Sequence, residues 1–390
     1  MANKYSSYVT VTPCVTPAAE SPREIVFHAT EVYAQKMFDS VGRVRIFPVD
    51  GPSIKWRKWS AWRKWLEGIE PAKFRRMDNG DLAVAVVTPV EGEYAVCFDA
   101  PDASGSFAEL AVFSIYALRD DLYKLTPYKG DFHMHSVASD GVHSPEYVAA
   151  TCRKTGFDFM ALTDHRLYVP SLVAQKAMAE LGCDMLTTPG EEVHLADNGV
   201  HIINFGGKSS INQLAADDES AYFAAVEEYK KTVPEKYDEV TRFQVAASEW
   251  AFDRIRDAGG ISMFCHPYWR PRHHTYVGED TIDLLLERKC FDVLEVIGGF
   301  EVADIEDNYL AVAKWQEACA KGRTIPVAGV SDSHDCDTSL TGWYYTIVFA
   351  EELTFESVAA AIRDNRSVAV HCPPGNFPLA VGPFRLVKFA

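Results

Sequence analysis

Nine residues of ligand type fall at or just after predicted strand ends in this 390-residue chain: His133, His135, Asp140, Asp164, His165, Glu192, His266, Asp332 and His334. His133 and His135 lie two apart at the end of a strand-like run, so both side chains fall on one side of a sheet. Asp140 follows in a Ser-Asp-Gly turn. Asp164 and His165 close a second strand-like run, Glu192 follows a third, and His266 ends a later one. Asp332 and His334 end another. Nitrogen and oxygen donors without cysteine suit zinc, manganese or iron and do not choose among them. A single histidine at a strand end is ordinarily a hydrogen-bonding residue. Of the 12 histidines here, however, only His28 precedes His133. Six of them fall at the strand-end positions that a metal site needs, which favours ligation.

The segment Glu192-Val-His-Leu-Ala-Asp-Asn-Gly-Val-His-Ile-Ile predicts a hairpin turning at Asn198-Gly199. Such a turn sets His194 opposite His201, with Glu192 two residues away on their face. His201 could then be a ligand although it begins a strand, and His194 becomes either an extra ligand or a supporting residue.

With these motifs in view, the chain from Lys129 onward resembles the PHP (polymerase and histidinol phosphatase) family. The residues that carry the resemblance are Gly-Asp-Phe-His133-Met-His135-Ser, Ser-Asp140-Gly, Leu-Thr-Asp-His165, Pro-Gly-Glu-Glu192-Val, His201-Ile-Ile-Asn, Cys-His266-Pro and Ser-Asp332-Ser-His334. The resemblance implies a distorted seven-stranded, TIM-like β/α barrel with two or three divalent ions. It further implies that His133, His135, Glu192 and Asp332 hold one ion. Asp140, His165 and His334 would hold a second, and Glu192, His201 and His266 a third. Two ions close together lower the pKa of a shared water and neutralise a phosphate. Catalysis is therefore expected of His133, Glu192 and Asp332, with Asp131 orienting a ligand.

The surrounding elements agree with an α/β architecture. Strand-like runs are predicted at 130–135, 157–163, 185–188, 202–205, 261–265, 293–297 and 325–330. Amphipathic helical stretches fall at 145–155, 172–181, 246–258, 281–288 and 309–321. Alternation over some 250 residues predicts a parallel β/α barrel from 128 to 390, with its chemistry at the C-terminal strand ends. The stretch 208–245 interrupts the alternation and is expected to be a helical insertion over the mouth. Residues 1–127 carry short alternating runs separated by Gly, Pro, Asp and Asn, which predicts a small β-sandwich.

Net charge is −17. Beyond Thr126 there are 23 basic and 39 acidic residues. That balance argues against a polyanion track and for a small phosphomonoester or nucleotide as substrate. Arg166, Arg270 and Arg272 are the candidates to grip its phosphate, with Lys208 nearby. The basic, tryptophan-rich stretch from Trp56 to Trp65 is expected to pack, because threefold spacing spreads its rings over half a helix. His143 and His371 lack motif partners and are expected to be structural. The absence of a long apolar run predicts no membrane span. Nine scattered cysteines and an N-terminus without an apolar core predict a reduced, cytoplasmic protein. Three other readings stay open: a nuclease, a non-catalytic metal-stabilised binding module and, by analogy with other metal barrels, hydrolysis of a C–N bond.

Overall fold

The structure is a computed structural model that describes residues 6–51, 64–271, 274–299, 305–337, 341–375 and 378–390. The chain divides into two compact units, Met1–Leu125 and Thr126–Ala390.

In the first unit the strands are β1 (Val9–Thr12), β2 (Val15–Pro17), β3 (Ala19–Ala29), β4 (Arg43–Pro48), β5 (Phe74–Arg76), β6 (Leu82–Thr88), β7 (Gly92–Pro101) and β8 (Phe107–Leu118). They form two four-stranded sheets, ordered β1-β3-β6-β5 and β2-β8-β7-β4. Alternate residues of both sheets share one core, among them Ile25, Phe27, Val84, Val96, Phe98 and Phe113. This is the packing of a sandwich. The sequence hid β3, because its first half, Ala-Glu-Ser-Pro-Arg-Glu, is polar and only Ile25 and Phe27 bury fully. Trp65 packs edge-on against Phe47, while Trp56, Trp59 and Trp62 lie outside the described residues.

The second unit contains β9 (Thr126–Asp131), β10 (Phe159–Ala161), β11 (Leu186–Thr188), β12 (Gly190–Val193), β13 (Ile202–Phe205), β14 (Ile261–Phe264), β15 (Val293–Ile297), β16 (Val327–Gly329), β17 (Tyr344–Ala350), β18 (Ser367–His371) and β19 (Leu379–Val381). Their order is β11-β10-β9-β17-β18-β19 in one sheet and β12-β13-β14-β15-β16 in the other. The ladders among the described residues therefore do not form a closed seven-stranded cylinder. The expectation of a parallel barrel is corrected to mixed sheets, while the predicted hairpin between β12 and β13 is present. β12 pairs antiparallel with β13, β13 with β14, and β9 with β17. Single bridges, Met134 to Ser333 and His165 to Glu192, join the two sheets at the ligand-bearing ends. Phe132, Phe159, Phe205, Ile261, Val293 and Val348 from both sheets fill one core.

Helices fall between the strands at Pro145–Lys154, Val169–Glu180, Glu239–Asp257, Glu279–Arg288 and Ile305–Ala320. The interruption at 208–245 is helical, with Ile211–Asp217 capped by Ser210 and Glu219–Lys230 capped by Asp218. No helix among the described residues is long and apolar enough to cross a membrane.

Candidate metal centre

The expected strand 130–135 ends early. β9 stops at Asp131, and the next residues share their backbone between side chains and a single bridge instead of a ladder. The His133 N–H donates to Asp131 Oδ1 at 3.2 Å, Met134 N–H to Thr163 Oγ1 at 3.0 Å, and His135 N–H to the Ser333 carbonyl at 2.9 Å. This backbone carries two imidazoles inward, and both are buried. Asp332 and His266 are likewise held at strand ends, at φ 47° and 27°. Non-glycine residues in that region cost about 1–3 kcal/mol each and cluster where geometry serves function.

Glu192 lies at the centre. Its Oε2 is 3.4 Å from His133 Nε2, 3.5 Å from His135 Nε2 and 2.7 Å from His165 Nδ1. Its Oε1 is 3.0 Å from His201 Nδ1, 3.1 Å from His194 Nε2 and 3.4 Å from His266 Nε2. Asp332 Oδ1 completes the first group, 3.1 Å from His133 Nε2 and 2.8 Å from His135 Nε2. Asp140 stands between His165 and His334, 3.3 Å from Nε2 of each. With metal–ligand bonds of about 2.1 Å, ligand atoms stand about 3.4 Å apart around a tetrahedral ion and about 3.0 Å around an octahedral one. The observed spacings match those edges. His133 Nε2, His135 Nδ1 and Glu192 Oε2 are buried without a hydrogen bond. Buried polar atoms left in this state are costly unless something else binds them. The donor set thus fits divalent ions.

Two of the groups within ligand reach are His133, His135, Glu192 and Asp332, and His135, Asp140, His165 and His334. All nine ligands that the resemblance implied are brought together. His194 was left open by the sequence and also enters the cluster, grouped with His165 and Glu192. The register Val193 to Ile202 and Glu192 to Ile203, continued by one residue, sets His194 opposite His201. Cys265 lies within 4.8 Å of Glu192 and His266 donor atoms, although the sequence reading assigned no cysteine. Burial pushes its thiol well above the ordinary range.

Electrostatics follow from packing six imidazoles around one carboxylate. Burial alone would lower His133, but Asp332 and Glu192 outweigh it and raise its pKa well above the usual value. Burial is likewise outweighed at His165 and His266, where Glu192 favours the charged ring. Burial wins at His201, which falls to about 4. Glu192 is held well below the carboxylate range against its burial, chiefly by His133.

Sequence reasoning missed Glu295. It sits buried in the apolar run Val-Leu-Glu-Val-Ile of β15, 3.2 Å from His133 Nδ1. That contact leaves His133 Nε2 for the cluster, as a carboxylate behind a ligand histidine does. A lone acid in a fully buried strand was the available signal. Asp131 is also fully buried, and burial raises it to about 7. Its carboxylate takes the N–H groups of His133 and Ser331, so it braces the backbone on both sides of the cluster.

The three arginines separate. Arg166 follows His165 at φ 61°, is exposed, and lines a cavity of about 520 Å³ with His194, Asn212, Gln213 and Tyr222. Arg270 is already engaged by Asp307, 2.6 Å from its Nη2. Arg272 and His273 lie outside the described residues. Lys208 is exposed, and His371 stacks on Tyr344.

No protein-family model matches the chain. It is 47% identical over 49 residues to the DNA polymerase/3'-5' exonuclease PolX of Bacillus subtilis, which is 13% of this chain and 9% of that protein. It is 24% identical over 239 residues to a 5'-3' exoribonuclease of Haemophilus influenzae, covering 48% of this chain and 84% of that one. Among solved structures it is similar to a two-domain protein of Bacteroides vulgatus said to contain a predicted PHP-like metal-dependent phosphoesterase. That likeness has 19% identity and a TM-score of 0.47, over 69% of this chain and 71% of the other.

Proposed function

We propose that this chain is a PHP-type metal-dependent phosphoesterase. Residues 126–390 form its catalytic unit, a distorted TIM-like barrel, and residues 1–125 an accessory sandwich. The observation that carries this reading is Glu192, a buried carboxylate with both oxygens placed among histidine nitrogens at ligand–ligand spacing. His133, His135, Glu192 and Asp332 would hold one divalent ion, and Asp140, His165 and His334 a second. Glu192, His201 and His266 would hold a third, with His194 beside them. The chemistry supplied by bound zinc, manganese or iron is activation of water and neutralisation of phosphate charge. Asp131 and Glu295 keep the ligand backbone and the His133 ring in place.

The substrate is a small phosphomonoester or nucleotide. Arg166 stands beside the cluster with its guanidinium exposed, where it can orient one phosphate. The cavity of about 520 Å³ that it borders is sized for a small organic group. The balance of 39 acidic to 23 basic residues after Thr126 disfavours a long polyanion. The nine free thiols suit a reducing, cytoplasmic setting.

A second reading is a nuclease, although the short match to an exonuclease and the distant one to an exoribonuclease do not favour it over the first. One assay separates them. Protein with its metals is given nucleoside monophosphates, sugar phosphates and single-stranded oligonucleotides at matched salt. Faster release of phosphate from the monoesters supports the proposal. Faster digestion of the oligonucleotides promotes the nuclease, and no turnover of either class rejects both.

A further inference from the structure

Two loops meet over the most exposed part of the cluster. The first, 136–143, carries Asp140, and the second, 332–337, carries Asp332 and His334. Asp140 and His334 face each other across this seam, yet the Asp140 side chain is 55% exposed and no strand ladder holds it. Something else must fix the gap between the loops if one ion is to take ligands from both.

The seam is fastened just outside the ligands. The Val142 N–H donates to the His334 carbonyl at 2.8 Å. His143 Nε2 lies 3.0 Å from Asp335 Oδ1 and 3.5 Å from Asp337 Oδ2. The Tyr147 hydroxyl donates to Asp337 Oδ1 at 2.9 Å, and its ring packs on His143 with centroids 4.5 Å apart. The Asp337 N–H in turn donates to Asp335 Oδ1, which closes the second loop on itself. On the first loop, Gly141 makes the tight turn possible. A Cβ there would come within 2.6 Å of the His135 carbonyl oxygen. His143 is only 19% exposed, so its contact with Asp335 is better shielded than a surface pair.

We propose that His143 and Asp335 form a latch that sets the separation of Asp140 from His334, and so governs occupancy of the ion held by Asp140, His165 and His334. His143 is a positioning residue, acting through Asp140. His133, His135, Glu192 and Asp332 are buried, and the Met134–Ser333 bridge fixes the backbone beside Asp332, so an ion held by these four would not depend on the latch. The inference rests on the metal-cluster reading and is independent of which ester is cleaved.

The test counts ions per chain by elemental analysis after dialysis of the full-length protein against graded concentrations of a weak chelator. His143→Ala is expected to lose one ion at a chelator concentration at least tenfold lower than the wild type does. This is the scale for groups that support ligands. Its remaining ions should leave together with those of the wild type. His143→Gln, which can still donate to Asp335, should keep the wild-type profile, whereas Asp335→Ala should repeat the one-ion loss. A wild-type profile in His143→Ala overturns the latch. So does equal loss in the Gln and Ala variants, which would make His143 itself a ligand. Wild-type protein without metal overturns the cluster and the latch together. Metal-loaded protein that hydrolyses no phosphate ester rejects the proposed function alone.

Discussion

His194 and His201 lie face to face with ring centroids 3.8 Å apart, and both direct a nitrogen at the same oxygen of Glu192. The hairpin register puts them there. A shift of one residue would turn one of the two rings to the opposite face. The pair gives one carboxylate oxygen two neighbouring nitrogens, and it ranks the residues of the hairpin by what each supports.

Glu192→Ala should strip metal from more than one position, since both its oxygens serve different nitrogens. His194→Ala should remove less, because His201 and His266 still approach the same oxygen. Elemental analysis of both variants purified without chelator checks this ranking. Greater loss from His194→Ala would reverse it.

Arg166 and Arg270 should fail in different ways. Arg166→Ala removes a charge-assisted contact of about 1.5–3 kcal/mol, so kcat/KM on a phosphomonoester should fall roughly 10- to 100-fold with metal content unchanged. Arg270→Ala leaves buried Asp307 without its guanidinium. After discounting for the partial exposure of Arg270, a destabilisation on the order of 1 kcal/mol is expected, read as a lower melting temperature.

Glu295→Gln keeps the volume of a fully buried side chain but removes the charge behind His133 Nδ1. Metal affinity should weaken about 10- to 100-fold. A competition titration against a chromophoric chelator measures it. Unchanged affinity would show that Glu295 only fills the core.

Metal binding should release protons at neutral pH. In the metal-free fold His133, His165 and His266 are raised by their carboxylate neighbours, so each holds to higher pH a proton that a ligand must lose. Affinity therefore rises with pH through neutrality and falls on acidification. The metal-free fold has the opposite trend. A raised imidazole stabilises it below the unfolded histidine pKa, and that contribution is lost as pH rises through the folded value. Calorimetry in buffers of different ionisation enthalpy reads the proton count. A count of zero at neutral pH would contradict these assignments.

How much was legible in the sequence varies by element. Short-range chemistry could be read directly. The hairpin turn placed His194 against His201, apolar periods marked most of the second unit's helices, and strand-end histidines announced a ligand set. Each of these depends on neighbours within a few residues, where spacing fixes geometry. The long strand β3 escaped because its buried face is only two residues deep. Nothing placed β17, β18 and β19, since β17 is anchored by a partner distant in sequence and the other two build on it. β17 pairs with β9, joining Ala350 to Thr126 and Thr346 to Gly130, and so makes mixed a sheet that local alternation suggested was parallel. Glu295 showed only as an acid in an apolar run, and Asp131, expected to orient a ligand, gave no sign of its partner Ser331. Their contacts with His133 and Ser331 span 162 and 200 residues. The sequence by itself determined which side chains could bind metal and which face of each strand they occupy. The tertiary structure decided which of them meet, because a ligand site is a set of distances between chain ends that no local period encodes.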